Sequence, residues 1–411
     1  MFAVAQLGAR MHYAVPRIFA AAGMLETFYT DMYATPFIRS LGRLAPENCR
    51  PAALRRWLAR APEQVAPARI KSFPAFGLKY RWRQTHATTV EAETAVHIWA
   101  GREFCRKIIR GGLGAARAVY TFNSAGLELM KHARHRGLCA VMEQTIAPSE
   151  IEHALLEAEQ ESFPGWESPR IRNSRAIEFQ ERDRLEWDNA SLILCGSEFV
   201  REGIRACGGP VGRCSIVPYG IQPCGVGSAR PFTRGPLRVL TAGSVTLRKG
   251  APYVLLAAKG LKSLAEFRIA GPICVTPYAR DLLSAHVHLV GAIPRDEIRK
   301  QYEWADVFLL PSICEGSATV CYEALAFGLP VITTPNAGSV VRDGVDGFIV
   351  PIRDAQAVVQ KLDLLARDRE MLAWMSANAT ARSRDFTLEK YGDRLLAALG
   401  GFWRPEDGTR D

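Results

Sequence analysis

Short apolar runs alternate with amphipathic stretches along the chain, a rhythm that predicts parallel sheet covered by helices. In the first half, residues 2–7 read as a strand, 15–22 as a helix, 118–122 as a strand, 126–135 as a helix and 140–143 as a strand. Residues 151–187, rich in Glu and Arg, read as helix broken at 163–169. A strand at 191–195, a helix from about 197 and a short strand at 216–217 follow. Glycine and proline then crowd residues 218–236, the composition of a linker. The alternation resumes with a strand from Leu237, a helix from about Ala251, a strand at 307–310, a helix at 317–327 and a closing helix from Phe386. The fold class is α/β, and two Rossmann-like domains are expected. The first is 1–217, with a basic insertion at about 39–110; the second is 237–385, with 218–236 between them and 386–411 as a terminal helix.

Candidate chemistry begins at Glu315 and Glu323, eight residues apart across a strand, loop and helix, with Gly328 and Pro330 marking the helix stop. Glu315 falls in the loop and Glu323 inside the helix. First-turn amides of a helix are unpaired and carry the positive end of its dipole, so an anion fits between the two. An ionised Glu accepts hydrogen bonds from vicinal hydroxyls, at roughly 1.5–3 kcal/mol for a bond to a charged group. The implied ligand runs hydroxyl, anion, hydroxyl, as in a sugar joined through diphosphate to ribose. The plainer reading is one capping Glu and one solvated Glu.

Residues 237–250, LRVLTAGSVTLRKG, place Gly243 and Ser244 after a strand and Arg248 and Lys249 just before a helix. Glycine admits close approach of backbone to a ligand, and paired cations neutralise phosphates. Residues 289–296, LVGAIPRD, add a glycine turn at a strand end, with Gly291, Ala292 and Ile293 as candidates to face a base.

Residues 311–351, with the E-x7-E spacing, GLPVITT and VVRDGVDGFIVP, resemble the donor-binding region of the retaining glycosyltransferases of family 4, the glycosyl transferases group 1. The resemblance implies the GT-B fold, in which two Rossmann-like domains with parallel sheets face a cleft and the closing helix returns to the first domain. It implies that Glu315 contacts the transferred sugar and Glu323 the ribose, and that the 243–250 loop clamps the diphosphate. The family's usual E-G-F-G is here Glu315, Gly316, Ser317, Ala318, and Ser244 stands where an Arg is usual, so the guanidinium is assigned to Arg248. Backbone and hydroxyl contacts to the donor fall to Gly316, Ser317, Ala318 and Thr319.

At 411 residues, 48% apolar and 23% charged, the chain has ample core for two domains and no signature of disorder. Its opening residues lack the charge and cleavage pattern of a leader and the length of a spanning helix. Ten cysteines without a C-x2-C pair read as buried thiols of a reducing compartment, and neither His286 with His288 nor His132 with His135 has the partners of a metal site. No metal and no cofactor is expected beyond the nucleotide-sugar co-substrate. A dinucleotide oxidoreductase is excluded because Gly112, Gly114 and Arg117 break the G-x-G-x-x-G fingerprint and no other loop supplies it.

The net charge of +10 concentrates early: Arg39, Arg43, Arg50, Arg55, Arg56, Arg60, Arg69, Lys71, Lys79, Arg81 and Arg83 face only Glu47 and Glu63, with Trp57, Phe73, Phe76, Tyr80 and Trp82 between them. This mixture suits an anionic membrane surface, with nucleic acid the less favoured partner and a solvated insertion the plain alternative. The expected location is cytoplasmic, peripheral on the inner face of the cell membrane.

The expected reaction moves a hexose from a UDP- or GDP-sugar to a saccharide or lipid-linked acceptor, with retention and without metal. Arg248 and Lys249 would stabilise the leaving diphosphate. Strand ends in the first domain nominate Gly8, His12, Glu143 and Gln144 for the acceptor, with His12 as the candidate base. A sugar-nucleotide epimerase or hydrolase of the same architecture and a basic binding protein with a degenerate site are the alternatives.

Overall fold

The computed structural model describes residues 1–43, 52–58, 60–62, 64–170, 173–222 and 235–400. Glu47, Arg50 and Glu63 of the basic stretch, residues 223–234 of the expected linker and 401–411 of the expected closing helix lie outside the described residues. The chain divides into two compact units. One comprises residues 1–144, 172–194 and 209–215, the other 145–171, 195–208 and 216–411.

The first sheet is built from β1 (Phe2–Gln6), β2 (Leu25–Thr30), β3 (Ile70–Ser72), β4 (Ala118–Phe122), β5 (Cys139–Gln144), β6 (Leu192–Cys195) and β7 (Cys214–Ile216), in the order β3-β2-β1-β4-β5-β6-β7. β1 pairs in parallel with β2 and β4, and every residue of β1 and β4 is buried, as strands covered on both faces must be. The stretch read as a basic insertion is in part sheet. β3 pairs with β2, Phe28 opposite Ile70, and the helices Pro74–His86 and Val90–Gly111 pack through the stacked rings of Phe76 and Phe104. Local chemistry sets the helix starts: Thr89 caps Val90–Gly111, and Asn173 caps Ser174–Asn189. The buried Glu186 accepts from the amides of Ser124, Gly126 and Leu127, so a neighbouring helix caps Leu127–His135.

The second sheet is built from β8 (Leu237–Ala242), β9 (Ala265–Ala270), β10 (His288–Gly291), β11 (Val307–Leu310), β12 (Val331–Thr333) and β13 (Gly347–Ile349), in the order β10-β9-β8-β11-β12-β13. All its described pairs are parallel. Alternation along the strands divides its core: Val239, Val307, Leu309 and Ile332 pack with one set of helices, Leu240, Phe308, Leu310 and Val331 with the other. The helix Ser149–Ser162 belongs to this unit, where its fully buried Glu159 accepts from Tyr253 at 2.9 Å and pairs with Arg353. The helix Leu388–Gly400 also lies in this unit, and its Arg394 donates to the Pro218 carbonyl at 3.2 Å.

Both sheets reverse strand order once, at β1/β4 and at β8/β11. Loops leaving the carboxyl ends of such a pair diverge to opposite faces and open a crevice, the usual ligand position in a doubly wound sheet.

Candidate active site

The loops after β8 and β11 are knitted together by backbone. The Ile313 amide donates to the Arg248 carbonyl at 2.8 Å, Arg248 Nη1 donates to the Cys314 carbonyl at 3.1 Å, and the Glu315 amide donates to Asn336 at 3.0 Å. Two glycines permit this. At Gly243, φ is 123° and an added Cβ would lie 2.8 Å from Cε of Lys249, so glycine lets that lysine lie across the loop. At Gly316 an added Cβ would lie 1.9 Å from the Thr145 carbonyl oxygen, while the Gly316 carbonyl accepts from the Ser197 hydroxyl.

Three expected residues meet here. Glu315 Oε1 lies 2.8 Å from Lys249 Nζ and 3.0 Å from Arg248 Nη1, and Glu152 lies 3.9 Å from Arg248 Nε. Burial would push the Glu315 carboxyl upward, yet Lys249 and Arg248 outweigh it and hold the group below the usual carboxylate range. Burial likewise opposes the Arg248 charge, and Glu315 and Glu152 restore it, leaving its pKa raised. The result is a desolvated, ionised cluster with two cations beside one carboxylate.

Glu323 lies inside the helix Thr319–Ala326 and accepts from the Tyr302 hydroxyl at 2.9 Å. Tyr302 is buried and stacks on Phe327 at 5.0 Å, which fixes that hydroxyl. Lys249, Glu315 and Glu323 all act electrostatically on the Cys321 thiol, whose pKa burial pushes up to about 12. Cys321 on this helix thus lies within electrostatic range of all three groups. Its start is corrected from residue 317 to Thr319. The Ala318 amide donates to the Ala337 carbonyl at 3.0 Å and the Ser317 hydroxyl bonds Tyr322, so neither is held ready for a phosphate. Ser244 is half-buried beside Gly243 and its carbonyl accepts from Thr246. Gly291 turns at φ 77° and its carbonyl accepts from the Gly271 amide, Ala292 follows in the turn, and Ile293 packs on the core.

In the first unit, Gly8 donates its amide to Asp31 Oδ1 at 3.0 Å, and Gln6 holds the loop through the carbonyls of Gly8 and Arg10. Met11, His12 and Tyr13 all have left-handed φ of 45°, 51° and 61°, a strained run that leaves His12 exposed. Glu143 and Gln144 are buried instead: Tyr120 donates to Glu143 at 2.6 Å and Trp187 to Gln144 at 3.0 Å. A cavity of about 200 Å³ opens beside Gly8, lined by Asp31, Arg60, Tyr80, Arg81 and Gln84. Arg60 pairs with Asp31 at 2.6 Å, and burial and the Asp31 charge push Tyr80 up to about 12, so it keeps its proton.

Asp31, Arg60, Tyr302 and Glu152 were missed in the sequence. Asp31 directly follows β2, whose Glu and Thr obscure it as an apolar run, and Tyr302 and Glu152 reach the site only through packing. Glu167, which accepts from the Leu247 amide at 2.7 Å, is a further case.

Residues 229–382 match the family described as glycosyl transferases group 1. The amylovoran biosynthesis glycosyltransferase AmsK of Erwinia amylovora is 31% identical over 184 residues, which cover 41% of this chain and 45% of that one. The chain thus spans about half the length of the curated relatives it matches. Among solved structures, a sucrose-phosphate synthase from Thermosynechococcus elongatus is similar with a TM-score of 0.64 at 15% identity, covering 98% of each chain. HepE of Anabaena, solved in complex with UDP and glucose, is similar with a TM-score of 0.60 at 13% identity, covering 97% of this chain and 99% of that one. The fold is GT-B, with two Rossmann-like parallel-sheet units.

Proposed function

We propose that this chain is a retaining, metal-independent glycosyltransferase that moves a hexose from a UDP- or GDP-sugar to a saccharide or lipid-linked acceptor in polysaccharide biosynthesis. The observation that carries this reading is Glu315 bridged by Arg248 and Lys249 at the β8/β11 crevice, with Glu323 on the next helix. The match of residues 229–382 to group 1 glycosyl transferases supports it, as do the biosynthetic glycosyltransferases among the relatives.

With a donor bound, its diphosphate competes with Glu315 for the two cations and frees the carboxylate for sugar hydroxyls. The bond between the anomeric carbon and the β-phosphate oxygen breaks, and the nucleoside diphosphate leaves with the electron pair. Arg248 and Lys249 stabilise that growing negative charge, which is why a divalent ion is not needed. The acceptor oxygen forms the new bond and gives up its proton, with His12 the candidate base. Glu323, oriented by Tyr302, holds the ribose hydroxyls. The polar cavity beside Gly8, with a carboxylate, guanidinium groups and a phenol, suits a polyhydroxylated acceptor. Among the described residues no helix is long and apolar enough to cross a membrane. Phe37 and Leu41 on one helix and Leu78 and Trp82 on another are exposed at one-turn spacing among basic residues, a surface suited to anionic lipid.

The test is release of nucleoside diphosphate from a panel of UDP- and GDP-hexoses in EDTA, with and without saccharide and polyprenyl-linked acceptors. Turnover that requires an acceptor is expected, and Lys249→Ala is expected to lower kcat by about 100- to 1000-fold. Turnover without any acceptor would point to a hydrolase or epimerase, and no turnover of any donor would overturn the reading.

A further inference from the structure

A second concentration of positive charge lies wholly in the first unit, where the helix Val90–Gly111 is flanked by Pro74–His86 and Ser174–Asn189. A hollow of about 380 Å³ there is lined by Arg83, Arg102, Arg106 and Arg175, with Trp99 and Glu103. The carboxylates nearby are already engaged. Glu178 is shared between Arg102 at 2.8 Å and Arg175 at 2.7 Å, Glu103 pairs with Lys107 at 3.4 Å, and Glu128, 3.7 Å from Arg102, lies closer to Arg182 at 2.7 Å. Arg83 and Arg106 have no carboxylate partner among the described residues. Arg83 instead lies over Trp99, its Cζ 4.1 Å from the ring centroid, with Lys79 over the same ring at 5.6 Å.

Four guanidiniums converging on one hollow repel one another, and an anion seated among them relieves that cost. The cation–ring contact with Trp99 and the shared Glu178 hold three of the four in place, so little side-chain freedom is lost when a ligand arrives. Planar forks with several N–H donors match phosphate oxygens best. We propose that this hollow is a binding site for the phosphate groups of an anionic ligand, sized for a phosphorylated monosaccharide or a glycerophospholipid headgroup. The inference does not depend on the donor-site reading.

The test uses the full chain carrying Lys249→Ala, which disables the donor-side clamp, and measures pyrophosphate binding by calorimetry with and without Arg106→Glu. One saturable, salt-sensitive site is expected to survive Lys249→Ala, to weaken about tenfold or more with Arg106→Glu, and to persist with Arg106→Lys at unchanged melting temperature. Sedimentation with phosphatidylglycerol vesicles, against phosphatidylcholine vesicles, separates the sources. Loss of phosphatidylglycerol-selective binding in Arg106→Glu assigns the site to a lipid headgroup; loss of pyrophosphate binding alone assigns it to a soluble phosphate ester. Absence of a saturable site in the Lys249→Ala chain, or equal pyrophosphate and vesicle binding with and without Arg106→Glu, would overturn the proposal whatever the chain does with sugar nucleotides.

Discussion

Glu315 is largely withdrawn from solvent and ionised at once, because Lys249 and Arg248 share its Oε1. Its folded pKa lies below the unfolded value, so the cluster contributes stability that is present above the ordinary carboxylate range and is lost as pH falls through the folded pKa. Melting temperatures measured from pH 7 downward are therefore expected to fall below about pH 4.5 in the natural chain, and Glu315→Gln is expected to start lower at pH 7 and fall less in acid. Equal acid slopes for the two proteins would show that another group dominates. The loop position of Glu315, its spacing to Glu323 and the Arg248-Lys249 pair were all legible in the sequence, since motif residues sit at short, countable separations. Tyr302 was not, because it reaches Glu323 from another helix through ring packing on Phe327.

Two loops and one helix start make up the candidate site, and its tightest point is Gly316 against Thr145. Gly316→Ala is expected to destabilise the second unit by roughly 1–3 kcal/mol, the usual cost of overpacking, and to lower donor affinity with it. Denaturant unfolding and nucleotide titration of the same variant check both effects, and an unchanged midpoint would mean that residues 145–171 yield easily. β11 and the helix after it were readable as an apolar run, a Pro-Ser stop and a glycine end. The helix start moved because the Ala318 amide is spent on Ala337, a contact made across the fold. β2 and β3 went unread: β2 mixes Glu and Thr with its apolar residues, and β3 is a three-residue, partly exposed edge strand amid cationic sequence.

Across the whole chain, the same six-strand order builds both sheets, with β7 added at the edge of the first, while the sequence between the strands sets their tasks. In the first unit the arginine-rich helices also carry exposed apolar side chains, Trp82 among them at 60% exposure. Leu78→Ser with Trp82→Ser is expected to weaken binding to phosphatidylglycerol vesicles several-fold in a sedimentation assay while leaving acceptor-dependent release of nucleoside diphosphate with a soluble saccharide acceptor unchanged. Retained vesicle binding would leave these side chains as ordinary solvated surface. Periodicity and motif spacing alone determined the α/β class and marked out the candidate loops and the paired carboxylates, because each rests on neighbours within one turn, strand or loop. Only the folded chain could decide that Glu315 is clasped by both cations, that Tyr302 orients Glu323, that Glu143 and Gln144 are spent on the interior, and that Asp31 and Arg60 line a cavity. Those outcomes depend on side chains brought together by sheet order and helix packing, over separations that no local pattern encodes.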